Sequence, residues 1–408
     1  MMKRLKSPLI PASFLLVTLC CLSPVQAYSQ DISDTNLAGW YQADAPKGQL
    51  LLWRSAPDSL TVFARLPENS DSVRLQLLFL NSLDSVRLDA RQAFDSLQLQ
   101  PLRRQNGQSY FRASLPFSDS LHYLLLEAQA GAEDGGNILA MAVLDPERNF
   151  PPPSFYPARV ADSLPVMQTF INKNEPLLLR GADTTYTAFL YRKAFDPAAP
   201  PMSATPAASD VLAVDSVFQL SADSLFTLDT EGLYFIQQDT SRMSGQSIRV
   251  TNPFYPEVGT LEDLSGPIRY ISTREEWKRL EQNNFSKEAV DRFWLKIGQT
   301  EERAKKMIKG YYEGVEAANR YFTNYKEGWK TDQGMIYILY GAPDVVNVTE
   351  GQEEWIYHKT TINPEIKFTF VRVKNPFTDR HLVLLRRKEY TKAHYDTISQ
   401  WRRGRKTL

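Results

Sequence analysis

Gly328-Trp329-Lys330-Thr331-Asp332-Gln333-Gly334 runs into the apolar stretch Met335-Ile336-Tyr337-Ile338-Leu339-Tyr340. Gly341-Ala342-Pro343-Asp344 follows, and then Glu353-Glu354-Trp355-Ile356-Tyr357-His358. A helix should precede this stretch. Thr300 caps it, Glu301 and Glu302 fill its first turn, and Ala304, Ile308, Tyr311, Tyr312, Val315, Ala318 and Phe322 recur on one face. Gly328 suits the exit from that helix, because glycine accepts positive φ without penalty. Trp329 is expected beside the helix end. Thr331 to Gly334 has turn chemistry, with Asp332 accepting a backbone N–H two residues on. Met335 to Tyr340 then reads as a strand, and Pro343-Asp344 as the next turn. Trp355 to Tyr357, Ile366 to Val373 and His381 to Leu385 read as further strands of an antiparallel meander.

The order of these pieces resembles the GWxTD domain, a C-terminal module of Bacteroidetes-type bacterial envelope proteins. The residues that carry the resemblance are Gly328, Trp329, Thr331, Asp332, Gly341, Pro343, Asp344, Trp355 and Tyr357. It covers roughly the last third of the chain. It implies a C-terminal α+β unit of an envelope protein, over 259–408; the role expected for that unit is structural, docking or assembly.

The N-terminus reads as an export signal. Lys3, Arg4 and Lys6 precede an apolar run from Leu9 to Leu22, and Val25-Gln26-Ala27 offers small residues for cleavage. That predicts a signal peptide over 1–27 and an exported protein, periplasmic or outer-membrane associated. Lipidation at Cys20 or Cys21 is the competing processing route, but Leu19 before Cys20 departs from the small residue a lipobox prefers. Both cysteines of the chain lie in the signal, so no disulfide is expected in the mature protein. No further segment is apolar enough for a transmembrane span.

At 408 residues and 43% hydrophobic, the chain is long enough for several cored domains. Lys+Arg and Asp+Glu balance at 47 each, and no aromatic-basic motif appears, which argues against a nucleic-acid partner. The expected partner is an envelope protein or a cell-wall or outer-membrane component. The C-terminus is locally basic, at Arg386-Arg387-Lys388 and around Arg402, and reads as a solvated tail.

Short alternating runs between Gly39 and Leu144 predict a β-sandwich over 39–147. Pro151-Pro152-Pro153 and Pro157 read as a stiff linker. A second, immunoglobulin-like sandwich is expected over 163–250, with Phe226 to Ile236 as its last hairpin and Asp196 to Ser209 as a mobile loop. Tyr28 to Thr35 reads as a polar lead-in. The fold class is therefore multidomain: two β-sandwich modules, then an α+β domain with helices and an antiparallel meander.

Asp-Ser followed by Leu or Val recurs along the chain, placing Ser59, Ser72, Ser85, Ser96, Ser120, Ser163, Ser216 and Ser224 in one context. Structurally this is a turn that opens a strand. The triplet also resembles the O-glycosylation acceptor of Bacteroidetes, which acts on exported proteins.

No catalytic constellation is legible, no cofactor motif is present, and His122, His358, His381 and His394 lack paired metal spacing. The expectation is a protein that is not an enzyme. The competing reading is an envelope glycan hydrolase or carbohydrate-binding module. It would use Asp332, Asp344, Glu353, Glu354 and His358 for acid–base work, with Trp329 and Trp355 as a stacking platform.

Overall fold

The computed structural model describes residues 32, 35–42, 48–67, 74–80, 82–83, 92–94, 99–117, 122–129, 137–144, 152–181, 185–204, 212–242, 245–359 and 365–404. The expected signal, Cys20 and Cys21 lie outside the described residues.

The first unit contains β1 (Gln49–Ala56), β2 (Ser59–Pro67), β3 (Arg74–Leu80), β4 (Gln92–Phe94), β5 (Gln100–Gln105), β6 (Gln108–Pro116), β7 (Tyr123–Gln129) and β8 (Asn137–Val143). They form two sheets, ordered β1-β2-β6-β5 and β4-β3-β7-β8. Leu60, Val62 and Leu66 from one sheet meet Leu77, Phe79, Leu124 and Leu126 from the other in a shared core. The β5–β6 hairpin turns at Asn106-Gly107, where both φ values are positive, at 52° and 70°. That is the backbone a tight hairpin matched to strand twist requires.

The second unit contains β9 (Phe155–Arg159), β10 (Phe170–Asn172), β11 (Leu177–Gly181), β12 (Thr185–Tyr191), β13 (Ser216–Ser221), β14 (Leu225–Phe226), β15 (Gly232–Gln237) and β16 (Gln246–Thr251). Its sheets run β14-β11-β9 and β10-β16-β15-β12-β13, closed over Leu177, Leu179, Tyr186, Ala188 and Ile236. Three details differ from the sequence reading. Pro157 belongs to β9 rather than to a linker, and β9 is an edge strand, where a residue without an N–H is tolerated. Strand pairing therefore begins before residue 163. Phe226 pairs with Leu177 in one sheet while Gly232 to Ile236 pairs in the other, so the last hairpin is β15–β16.

The third unit contains α1 (Leu261–Ser265), α2 (Arg274–Gln282), α3 (Lys287–Gly298), α4 (Glu301–Phe322), α5 (Asp332–Tyr340), the meander β17 (Val345–Thr349), β18 (Gln352–Tyr357), β19 (Ile366–Arg372) and β20 (Leu382–Leu384), and α6 (Tyr390–Arg402). Thr273, Ser286 and Thr300 cap α2, α3 and α4 through their hydroxyls. The expected strand at Met335 to Tyr340 is instead the helix α5. Thr331 caps it, and all its residues are buried. A run that is apolar on every side carries no period, so it fits a central helix as well as a strand, and the Thr331 cap tips it to helix.

The basic C-terminus is not simply a solvated tail. Trp401 of α6 is 1% exposed and donates Nε1–H to the Leu339 carbonyl at 3.0 Å. Arg402 holds Glu276 of α2 at 2.8 and 3.0 Å. Glu276 also accepts from Lys296 at 3.0 Å and from the Thr273 N–H at 3.0 Å. Burial opposes its charge, yet the hydrogen bonds from Arg402, Thr273 and Lys296 prevail and hold its carboxyl down at about 2. A depressed carboxyl stabilises the fold above its ordinary value of 4.5 and loses that contribution as pH falls toward about 2. The stability gap between the parent and Glu276→Gln should therefore narrow as pH falls through this window. Urea midpoints at a series of pH values measure it; a constant gap would remove the carboxylate as its source.

Candidate functional site

The signature begins with two glycines packed backbone to backbone. Gly328 does not leave a helix at positive φ. A Cβ there would stand 2.0 Å from the Ala318 carbonyl oxygen, so the close approach to α4 demands glycine. A Cβ on Gly334 would stand 1.9 Å from the Gly328 oxygen. The Gly328 N–H donates to the Tyr255 and Thr323 hydroxyls, and the Trp329 N–H to Asn319 Oδ1 at 3.1 Å. Trp329 packs its ring against Gly266 and Tyr270, and the Tyr270 hydroxyl donates to its carbonyl at 2.9 Å. Thr331 Oγ1 does double work. It accepts from the Gly334 N–H at 2.9 Å, capping α5, and donates to the Gly328 oxygen at 2.7 Å.

Asp332 does not close a local turn. Its Oδ2 accepts from the Leu384 N–H at 2.8 Å, and its two oxygens take both terminal nitrogens of Arg386 at 2.5 and 3.2 Å. Side-chain exposure is 9% for Asp332 and 4% for Arg386, so this is a buried pair. Arg386 also donates to the Ala199 carbonyl at 3.2 Å. Ala199 belongs to the segment between β12 and β13, part of the expected mobile loop. Its described part is pinned: the Ala198 N–H donates to the Lys330 oxygen at 2.9 Å, the Arg387 N–H to the Pro201 oxygen at 3.0 Å, and Phe195 meets Tyr325 edge-on. Beside it, Arg249 of β16 forms an ion pair with Glu327, just ahead of the pentapeptide.

Glu353 is 6% exposed and does not face solvent. It accepts from Trp355 Nε1 at 2.6 Å, from the Tyr41 hydroxyl at 2.7 Å and from Gln333 Nε2 at 3.3 Å. Burial and then the neighbouring carboxylate push the Tyr41 hydroxyl well above its ordinary range, which keeps it a donor. Tyr41 ends an N-terminal strap that the sequence reading took for a polar lead-in and the edge of the first sandwich. The Leu37 N–H donates to the Val346 oxygen at 2.8 Å, and Asn36 Oδ1 accepts from the Val346 N–H at 3.0 Å. Ile32, Leu37, Ala38 and Tyr41 join the core of the third unit, while Trp40 Nε1 reaches back to the Ile138 oxygen of β8 at 2.7 Å. Asn36 had no helical or strand period around it, so only its Asx chemistry could have marked the site.

The remaining signature residues shape the meander. Gly341 leaves α5 at φ 85° and accepts from the Tyr357 hydroxyl at 2.9 Å. Pro343 is buried, and Asp344 Oδ2 accepts from the His358 N–H at 2.7 Å. Glu354 faces away from Glu353 on β18 and pairs with Lys367 at 2.9 Å; exposed His358 lies 3.7 Å from Glu365. Trp355 is 0% exposed, so it offers no stacking face, and Trp329 is partly covered. The candidate acids are thus taken up by separate partners. Burial, aided by Lys326, pushes His381 down to about 4, and burial alone does the same for His394. Among the described residues no group of three His, Cys, Asp or Glu side chains could hold a metal ion.

The Asp-Ser triplets that are described sit at turns. Ser59 opens β2 and Ser216 opens β13; Ser163 follows a turn at φ 60°, and Ser224 precedes β14. Ser163, Ser216 and Ser224 are exposed, and Ser59 is half-buried. Ser72, Ser85, Ser96 and Ser120 lie outside the described residues.

Asp332→Ala strands a buried guanidinium and should cost on the order of 3–5 kcal/mol. Asp332→Asn keeps an acceptor for Leu384 but not the charge facing Arg386, so it should fall close to the alanine variant. Urea unfolding of the full chain measures both; a nearly neutral asparagine variant would mean the pair contributes little. Tyr41→Phe removes one donor to a buried carboxylate and should cost about 1.5–3 kcal/mol. An unchanged urea midpoint would detach the strap from the stability of the third unit.

A family model described as the GWxTD domain matches residues 232–403. The match begins at the first residue of β15, ahead of the expected 259. No curated protein matches the chain. Among solved structures, DIP-gamma IG1+IG2 is similar at 8% identity, covering 51% of this chain and 98% of that one, with a TM-score of 0.16. Titin A168–A169 stands at 9% identity, 51% and 98% coverage and 0.16, and Dpr11 IG1 bound to DIP-gamma at 7%, 51%, 99% and 0.14. Scores this low carry no argument about shape. The pentapeptide, the helix it caps and the family match coincide on one stretch, and the chain is a GWxTD domain-containing protein.

Proposed function

We propose that this is a non-catalytic, exported envelope protein, periplasmic or outer-membrane associated, in which the GWxTD unit is the docking and assembly element. One observation supports the reading: two buried acids of the unit, Glu353 and Asp332, tie in segments that come from elsewhere in the chain. Glu353 anchors Tyr41 of the N-terminal strap, and Arg386, paired with Asp332, holds Ala199 of the β12–β13 segment. A unit that seats distant segments along β17 and beside α5 has the chemistry for joining parts: backbone hydrogen bonds give hold, and side-chain sockets give register. The two sandwiches are then spacers or contact surfaces for an envelope protein or a wall or outer-membrane component. The basic n-region and apolar run at the N-terminus support export. Exposed Ser163, Ser216 and Ser224 are accessible to an O-glycosylation system.

Intact-mass analysis of protein from the native envelope tests the export half. The mature chain should begin at Tyr28 without an acyl group and be heavier than the unmodified sequence. An acylated Cys20 or Cys21, or a chain retaining residues 1–27 in the cytosol, would contradict it. An unmodified mass would leave the Asp-Ser triplets as turns alone. Incubation with envelope glycan tests the non-catalytic half. Release of reducing ends that disappears in Glu353→Gln, with folding intact, would overturn it.

A further inference from the structure

Between α2 and α3 lies a groove of about 350 Å³, apart from the signature and its straps. Its size falls in the range of small-ligand sites. Each helix contributes one stripe at helical spacing: Glu276, Arg279, Leu280 and Asn283 along α2 and its C-cap, and Ala289, Arg292, Phe293 and Lys296 from α3. The floor is apolar, made of Leu280, Ala289 and Phe293. The rim is cationic.

The charges at the rim are unbalanced. Glu276, at one end, is the carboxylate in the lining, and it is already shared by Lys296 and Arg402. Arg279 and Arg292 are exposed, and neither has a carboxylate partner among the described residues. Each is anchored through Nε to its own helix, Arg279 at the Glu275 oxygen (3.3 Å) and Arg292 at the Glu288 oxygen (3.2 Å). Their terminal nitrogens remain to meet an anion. A guanidinium held at one nitrogen loses less freedom when it binds an oxyanion at the others.

We infer that this groove binds a free single-chain anionic amphiphile, its aliphatic chain on Leu280, Ala289 and Phe293 and its carboxylate or phosphate head between Arg279 and Arg292. The chemistry requires both halves. An ion without a chain leaves the floor in water, and a neutral chain leaves the arginines without a counterion.

Calorimetric titration of the full mature chain with decanoate, below its micelle concentration, should show saturable one-to-one binding. Dodecanoate should bind more tightly by about fourfold per added methylene. The exposed double variant Arg279→Gln/Arg292→Gln should bind decanoate about tenfold more weakly at an unchanged melting temperature, and 1-decanol should bind more weakly than decanoate. Four outcomes would overturn the inference: no saturable binding, equal binding by the double variant, decanol binding as tightly as decanoate, or adsorption to phosphatidylglycerol vesicles without binding of free decanoate. The last would make the rim a membrane-contact surface instead of a ligand site.

Discussion

The structure turns on a carboxylate and a guanidinium removed together from water. Asp332 and Arg386 are both nearly fully buried, and neither charge would be tolerated there alone. Their pairing is bidentate, and each also bonds to backbone. Asp332 takes the Leu384 N–H at the start of β20's exit, and Arg386 gives to the Ala199 carbonyl. A buried pair of this kind adds little net stability over apolar residues of the same shape, but it is demanding about geometry. It forces α5, β20 and the β12–β13 segment into one arrangement, because any other leaves a buried charge without a partner. The Thr331 cap acts in the same place for a similar reason. It fixes where α5 starts, and so where Asp332 points.

The unit that carries the signature is for this reason not self-contained. Its core includes Leu37 and Tyr41, which lie some 300 residues earlier in sequence. Its meander is covered along β17 by Asn36 and Leu37, which occupy the edge that would otherwise offer unpaired backbone groups. Arg249, in the last strand of the second sandwich, forms its ion pair with Glu327 next to the pentapeptide. That contact gives a physical reason for a family match that starts at Gly232: β15 and β16 contribute directly to the joint.

Much of this architecture could be read from residues, and the misses have specific causes. The capping hydroxyl of Thr300 marked its helix because capping is local chemistry. The alternation at the end of β6, from Ala113 to Pro116, marked a sandwich strand because one face there is wet. Met335 to Tyr340 failed as a strand because burial on all sides erases periodicity, which is the signal that separates helix from strand. Asp332 was read as a turn residue because a short carboxylate beside glycine usually is one; its true partners, Leu384 and Arg386, are more than fifty residues away. Glu353 and the N-terminal strap were missed for the same reason. A long-range socket leaves no spacing rule in the sequence, and Tyr41 is chemically an ordinary strand-forming residue until Glu353 is placed beneath it.

The side-chain chemistry of the signature supports the proposed reading of a joint. A catalytic acid needs a face open to substrate and a partner that leaves its proton free to move. Asp332 has both oxygens engaged by fixed donors, and Glu353 is enclosed by an indole, a phenol and an amide that hold it from separate elements. The glycines answer the same need. Gly328 and Gly334 are small so that α4, the pentapeptide and α5 can approach at backbone distance, which brings Thr331 into reach of two groups at once. What the arrangement provides is register: a short motif that determines how three distant stretches of one chain meet, and leaves the α2–α3 groove, outside that joint, free for a ligand.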